Sequence, residues 1–147
     1  MQLSVIIVNY NSHGLINDCI DTIVSQTKEI SYEVIVVDNQ SAAGSLSQIV
    51  ARHPFIRTIE MGYNGGFSRA NNAGLRAARG EYMLLLNPDT LILDGALDKC
   101  VQRFGTSEFA ACGVQQLNAD HSTQISGNYF MKGGLNHLLP LPYWGKV

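Results

Sequence analysis

Residues 64–90, NGGFSRANNAGLRAARGEYMLLLNPDT, decide the fold because they hold a loop, a helix, a strand and a turn in succession. Glycines open the stretch, and alanines then recur at helical spacing, which predicts a helix over 67–79 that lies close to a sheet. The apolar run 81–86 (EYMLLL) is typical of a strand covered on both faces. The residues at 87–90 (NPDT) are turn formers that end this strand. The stretch therefore predicts an α/β architecture.

The same alternation of elements extends to both sides of this stretch. Outside it, the sequence predicts strands at 3–8 (LSVIIV), 33–37 (EVIVV), 55–60 and 110–116, and helices at 15–24, at 45–52 and after a cap at Asp94. This order predicts a mostly parallel, Rossmann-like sheet flanked by helices, with right-handed crossovers.

Polar side chains follow the end of each of the first four strands. Asn9 and Tyr10 follow the first strand, Asp38 the second, Asn64 the third and Asp89 the fourth. Because ligands of parallel sheets bind outside the carboxyl ends of the strands, we expect these residues to meet at one edge.

Asp89 is the candidate metal ligand at this edge. A carboxylate after an apolar strand suits Mg²⁺ or Mn²⁺, with a substrate diphosphate completing the coordination shell. The tetrapeptide at 87–90 is also good turn and capping chemistry, and taken by itself it favours that interpretation over a metal site.

Asp38 and Tyr10 are candidates for holding a nucleoside. The carboxylate can accept hydrogen bonds from a base or ribose, and the ring can pack on a base. The alternatives are a helix cap for Asp38 and a half-buried loop aromatic for Tyr10. The loop at 62–66 (GYNGG) lacks the dinucleotide and P-loop patterns, although its glycines allow a ligand to approach the backbone.

Composition and charge exclude several functional classes. The chain has 147 residues, a net charge of −2 and a pI of about 6.0, which argues against nucleic-acid binding. The three cysteines are predicted to be buried thiols in a reducing compartment, and the four histidines lack zinc-site spacing. Since we find neither a signal peptide nor an apolar run of about 20 residues, we expect a cytoplasmic protein with at most peripheral contact at the inner face of the membrane.

Three segments together resemble a known family. SVIIVNYNS (4–12), EVIVVDNQS (33–41) and the stretch 64–90 are similar to the successive motifs of family-2 glycosyltransferases. The third segment resembles the rhamnosyltransferase-like branch, where NPDT replaces the usual D-x-D. The resemblance covers residues 3–100 and implies a GT-A fold, a UDP- or dTDP-linked sugar donor and a glycan or lipid-linked acceptor.

The resemblance also implies residue roles. It implies that Asn64 and Asn71 lie beside the nucleotide, that Asn87 belongs to the same binding set and that Asp89 holds Mg²⁺ or Mn²⁺. The base and ribose site is implied at Val8, Asn9, Tyr10 and Asp38. The family reaction is inverting, with an acceptor hydroxyl deprotonated by a carboxylate.

Two departures from the family pattern bear on activity. Ala43 stands where many relatives have an acidic residue, and the expected catalytic base has no counterpart in this chain. We therefore predict a nucleotide-sugar-binding domain at 1–117 and the start of a loop-rich or truncated acceptor-side segment at 118–147, so that the fold is incomplete at its C-terminal side. The alternative is a non-catalytic nucleotide-sugar-binding or interaction module. The apolar residues at 138–144 suit contact with a missing part of the protein or with a partner, such as a second copy in a homo-oligomer.

Overall fold

The computed structural model describes residues 1–108 and 110–124. Along its length, the chain divides into two compact units, Met1–Ala110 and Ala111–Val147. Within the described part of the first unit, strands and helices alternate in the order β1 (Leu3–Asn9), α1 (His13–Gln26), β2 (Tyr32–Asp38), α2 (Ser45–Arg52), β3 (Arg57–Glu60), α3 (Phe67–Ala77), β4 (Tyr82–Leu86) and α4 (Ala96–Phe104).

The strands form one parallel sheet with the order β3-β2-β1-β4. The register places Asn9 beside Asp38, and Asp38 beside Glu60, so three neighbouring strands end at the same level. Ile7 pairs with Leu86, the last residue of β4. The prediction of a mostly parallel sheet flanked by helices is confirmed.

The apolar core lies on both faces of the sheet. On one face, the β1 and β2 side chains pack with α1, α2 and α4; on the other, they pack under α3. Gly74 brings α3 very close to β1, since a Cβ atom added there would stand 2.4 Å from Cγ2 of Ile6. This close approach fixes α3 against the sheet.

A buried carboxylate organises the amino end of the sheet. Glu33 accepts hydrogen bonds from the Ser4 hydroxyl at 2.7 Å, from the backbone N–H of Arg79 at 2.8 Å and from the guanidinium of Arg57. The Ser4 Oγ also accepts from the Gly80 N–H at 2.8 Å. These contacts join β1, β2 and β3 to the segment that leads into β4.

Glu33 is expected to make folding stability depend on pH. Burial raises the pKa of its carboxyl, but the bonds from Arg57, Ser4 and Arg79 outweigh burial and hold the pKa below its usual value of 4.5. A depressed folded-state pKa contributes stability above the unfolded-state value, and this contribution is lost as the pH falls through the folded-state pKa. We expect Glu33→Gln to lower the free energy of unfolding by about 2 kcal/mol at pH 7. The deficit relative to wild type should shrink below pH 4.5.

Urea unfolding at pH 7 and at successively lower pH values measures this effect. Glu60→Gln, which alters an exposed carboxylate at the end of β3, is the matched control and should change the stability by less than about 0.5 kcal/mol. A Glu33→Gln deficit that stayed constant across the acid range would contradict the prediction.

Four details differ from the sequence predictions. The predicted fifth strand at 110–116 is wrong: the described residues there form no strand and are exposed, because small residues such as Ala111 and Gly113 bury little apolar area. Cys112 is exposed rather than buried, whereas Cys19 is buried. Met83 and Leu85 are about half exposed, because β4 is an edge strand of the described sheet and α3 covers β1 and β2 instead.

The start of α4 also differs, since Gly95 rather than Asp94 occupies its N-cap position, without a side-chain cap bond. Asp98, in the first turn, is the buried acidic group here. Its carboxylate accepts the backbone N–H groups of Lys28, Glu29 and Ile30 at 2.9–3.2 Å and so ties α4 to the loop after α1.

Much of the predicted acceptor-side segment lies outside the described residues, including the apolar residues at 138–144. Within the described part of the second unit, Leu117 and Thr123 form an antiparallel bridge around a turn. Among the described residues, no helix is both long enough and apolar enough to cross a membrane.

Candidate functional site

A cleft of about 480 Å³ opens at the carboxyl edge of the sheet. Its walls come from the ends of β1, β2 and β4, from the loop before α3 and from the first turns of α1 and α3. The lining residues are Val8, Tyr10, Ser12, Leu15, Asn39, Asn64, Gly66, Phe67, Asn87, Pro88 and Asp89. Five of the residues predicted from the sequence are therefore together here: Val8, Tyr10, Asn64, Asn87 and Asp89.

Asn9 is the hydrogen-bonding hub behind this cleft. Its side chain is fully buried, and its Nδ2 lies 2.8 Å from Asp38 Oδ1 and 2.9 Å from Ser41 Oγ. Its Oδ1 accepts from the backbone N–H and the hydroxyl of Ser12, which is the N-cap residue of α1. Asn9 thus joins the end of β1 to the loop after β2 and to the start of α1.

Asp38 and Asn71 are buried, and neither is among the residues that line the cleft. Asp38 is 9% exposed, and its two oxygens accept hydrogen bonds from Asn9 Nδ2 and from the Ser41 N–H. Asn71 is 5% exposed, and its Nδ2 has no hydrogen-bond partner among the described residues. Leaving a buried amide nitrogen without a partner costs about 1–3 kcal/mol.

Asn39 is a cleft residue that the sequence predictions missed. Its Nδ2 donates to Asn64 Oδ1 at 2.9 Å, and its Oδ1 accepts the Gly65 N–H at 2.8 Å. The pair links the end of β2 to the glycine loop before α3. Its position directly after Asp38, at the end of β2, could have indicated a cleft residue. An asparagine at that position is equally typical of a turn.

The turn after β4 presents Asp89 as an exposed side chain on the cleft wall. The Thr90 N–H donates to the carbonyl oxygen of Asn87 at 3.2 Å, which places Pro88 and Asp89 at the tip of the turn. Beneath it lies the fully buried thiol of Cys19, 3.8 Å from the same carbonyl oxygen. Burial, with a smaller contribution from the negative charge of Asp89, raises the pKa of Cys19 to about 12, so the thiol stays protonated.

The backbone makes this edge favourable for anions. Both α1 and α3 begin at the cleft, where Ser12 and Gly66 line the wall, and neither helix has an acidic residue in its first turn. Helix N-termini carry unpaired N–H groups and a partial positive charge. The arrangement is therefore suited to a phosphate group lying between these two helices.

The residues present fit a hard divalent cation with few protein ligands. In the described part of the chain, no group of three or more histidine, cysteine or acidic side chains is placed to hold a metal. The cleft instead offers the Asp89 carboxylate beside the amide of Asn87. Mg²⁺ is commonly held in this way, by one or two carboxylates together with water and substrate phosphates.

Comparisons with known proteins identify the family of this chain. The model of the family described as Glycosyl transferase family 2 matches residues 4–143. The poly(ribitol-phosphate) beta-glucosyltransferase of Bacillus spizizenii is 38% identical over 103 residues, which cover 66% of this chain and 16% of that enzyme. The chain thus corresponds to a part of a much longer relative.

Solved glycosyltransferase structures share the fold. S. aureus TarS in complex with UDP superposes with a TM-score of 0.66 at 25% identity, covering 79% of this chain and 38% of TarS. The mannosyltransferase PcManGT of Pyrobaculum calidifontis, in complex with GDP-Man and Mn²⁺, gives a TM-score of 0.60 at 27% identity, covering 69% of this chain and 31% of that protein. With its GT-A sheet and the family match over most of its length, this chain belongs to glycosyl transferase family 2.

Proposed function

We propose that this chain carries the donor- and metal-binding half of an inverting glycosyltransferase. The donor would be a UDP- or dTDP-linked sugar, and the acceptor a hydroxyl of a glycan or of a lipid-linked carrier. The observation that carries the proposal is the Asp89 carboxylate facing a cleft at which two helices begin. The proposal places the protein in the cytoplasm, with at most peripheral membrane contact.

The nucleoside would occupy the β1 and β2 side of the cleft. The half-exposed ring of Tyr10 offers a surface on which a base can stack. Asp38 and Asn39 supply acceptors and a donor at the adjacent strand end, close to the backbone of Val8 and Asn9. The unpartnered amide of Asn71 would complete this set on the α3 side.

The diphosphate would lie between the helix N-termini and the cation. When bound, Mg²⁺ or Mn²⁺ neutralises the negative charge of the diphosphate and of its departing form. Asp89 would hold the cation, and Asn87 would orient the donor beside it. These assignments require no cluster of carboxylates in the described cleft lining.

The transfer itself would be a single displacement. The acceptor oxygen forms a bond to the anomeric carbon while the bond from that carbon to the diphosphate oxygen breaks, and the electron pair leaves with the diphosphate. The acceptor proton passes to a carboxylate base. We assign no such base here, because Asp89 is the single acidic side chain among the described residues that line the cleft, and its proposed role is to hold the cation.

Calorimetric titration with nucleotides tests the proposal. UDP and dTDP should bind on the order of tenfold more tightly with Mn²⁺ than with EDTA, because Asp89 would hold the cation, which would neutralise charge on the diphosphate. UMP is the control: it lacks the second phosphate and should show a much smaller metal effect. Nucleotide binding that is absent, or equal with and without metal, would contradict the proposal.

A second part of this experiment compares nucleotides with different bases. The resemblance of residues 64–90 to the rhamnosyltransferase-like branch favours a dTDP-linked rhamnose, whereas the TarS structures contain UDP and UDP-GlcNAc. Comparing dTDP, UDP and GDP under the same metal conditions would rank the bases. Tightest binding of dTDP would support the branch assignment.

The non-catalytic alternative rests on the same single carboxylate in the described cleft lining. A module that binds a nucleotide sugar without transferring it needs no base. Sugar transfer by this 147-residue chain to any glycan acceptor would exclude it.

A further inference from the structure

We propose that Thr22 and Cys19 of α1 are positioning residues that hold the Asp89 carboxylate in place for its cation. The inference rests on the proposed function, because it assumes that Asp89 binds the metal. Neither residue lines the cleft, so both would act through the loop that carries Asp89.

The loop in question, residues 87–92, has little regular structure of its own. It leaves β4 as a turn and continues without helix or strand until α4 begins at Ala96. Leu91 is 54% exposed, so the loop is not simply buried in the core. A metal ligand on such a segment needs support from a neighbouring rigid element.

Helix α1 supplies this support at both ends of the loop. At the start, the Cys19 thiol lies 3.8 Å from the carbonyl oxygen of Asn87, two residues before Asp89. At the end, the Ile92 N–H donates to Thr22 Oγ1 at 2.9 Å. The Ile92 side chain is 6% exposed and belongs to the same core cluster as Cys19.

The Thr22 hydroxyl is itself held in one orientation. It donates to the Cys19 carbonyl oxygen at 2.8 Å, which turns an oxygen lone pair towards Ile92. Cys19 and Thr22 are three residues apart and so lie on one face of the helix. Two contacts from a single rigid helix therefore bracket Asp89.

A positioning role predicts a loss of metal affinity that exceeds the loss of stability. Thr22→Val keeps the side-chain shape but removes the acceptor for Ile92, so the loop end is released. We expect the Mn²⁺ concentration for half-maximal UDP binding to rise about tenfold, the lower end of the effect of supporting residues on metal sites. UDP binding in EDTA should stay unchanged. Thr22→Ser, which keeps the hydroxyl, should behave like wild type.

Cys19→Ala provides an independent variant, and Ser25→Ala, which removes another α1 hydroxyl, is the matched control. Calorimetry gives the Mn²⁺ dependence, and thermal unfolding of the metal-free chain reports stability separately. Wild-type Mn²⁺ dependence in both Thr22→Val and Cys19→Ala would overturn this inference alone. Thr22→Val lowering UDP affinity equally with and without metal would also overturn it. A wild-type chain without metal-dependent UDP binding would instead overturn the proposed function, and this inference with it.

Discussion

Asp89→Asn is expected to raise the Mn²⁺ concentration for half-maximal UDP binding on the order of 100-fold, while UDP binding in EDTA stays the same. Substitution of residues that support metal ligands typically lowers metal affinity about 10- to 100-fold. Removal of the charge of the ligand itself should therefore lower metal affinity by at least the upper end of that range. Asparagine retains the size of aspartate and suits a turn, so the turn closed by the bond from Thr90 to Asn87 should persist. Calorimetric titration across a series of Mn²⁺ concentrations measures the effect.

Asp94→Asn is the matched control for this substitution. Asp94 is an exposed aspartate on the same connection between β4 and α4, and it does not line the cleft. It has a positive φ of 51°, which asparagine also tolerates. Metal dependence in Asp89→Asn equal to that of wild type would remove Asp89 from the metal site.

Asn9→Ala is expected to lower the free energy of unfolding by about 3 kcal/mol and to weaken nucleotide binding in parallel. The change leaves Asp38 and Ser41 without the donor they now share, and it leaves the Ser12 N–H without its acceptor. Because these groups shape the cleft wall, stability and affinity should fall together. Urea unfolding and UDP titration measure the two effects.

Asn9→Asp separates the hydrogen-bonding role from side-chain size. It would place a second carboxylate beside Asp38, where the Asn9 nitrogen now lies 2.8 Å from Asp38 Oδ1. Two carboxylates at this distance do not both ionise readily, so the variant should be unstable at pH 7 and recover part of its stability on acidification. Asn72→Ala removes an exposed amide on α3 and should stay within about 0.5 kcal/mol of wild type. An equally small effect of Asn9→Ala would contradict the role of Asn9 as hub.

The sheet was predictable because its central strands carry a strong local signal. The β-branched runs at 3–8 and 33–37 became the two central strands, whose buried side chains require cover on both faces. The inference from an apolar run to a strand covered on both faces failed for Met83 and Leu85. The apolar run of β4 does not reveal that this strand lies at an edge of the described sheet. The prediction of a strand at 110–116 also failed. Small residues there give an apolar run but have too little apolar area to bury.

The cleft was predictable as a location but only partly in its composition. Parallel strands bring their ends together, which sufficed to place Tyr10, Asn64 and Asp89 on one wall. Which polar residue faces the cleft depends instead on how the loops fold back. Asp38 turns into bonds with Asn9 and Ser41, while Asn39 reaches Asn64, and this exchange of roles depends on contacts far apart in sequence.

The approach of α3 to β1 at Gly74 has a consequence for how this protein can diverge. The Ile6 side chain occupies the space beside Gly74. A Cβ atom added at Gly74 would lie 2.4 Å from Ile6 Cγ2. A larger residue at position 74 would push α3 away from the sheet. The N-terminus of α3 at Gly66 would then move away from any phosphate bound there. A larger residue at position 74 would therefore require a smaller side chain at position 6, and Val37, whose Cγ2 lies 3.2 Å from the same point, would also have to shift.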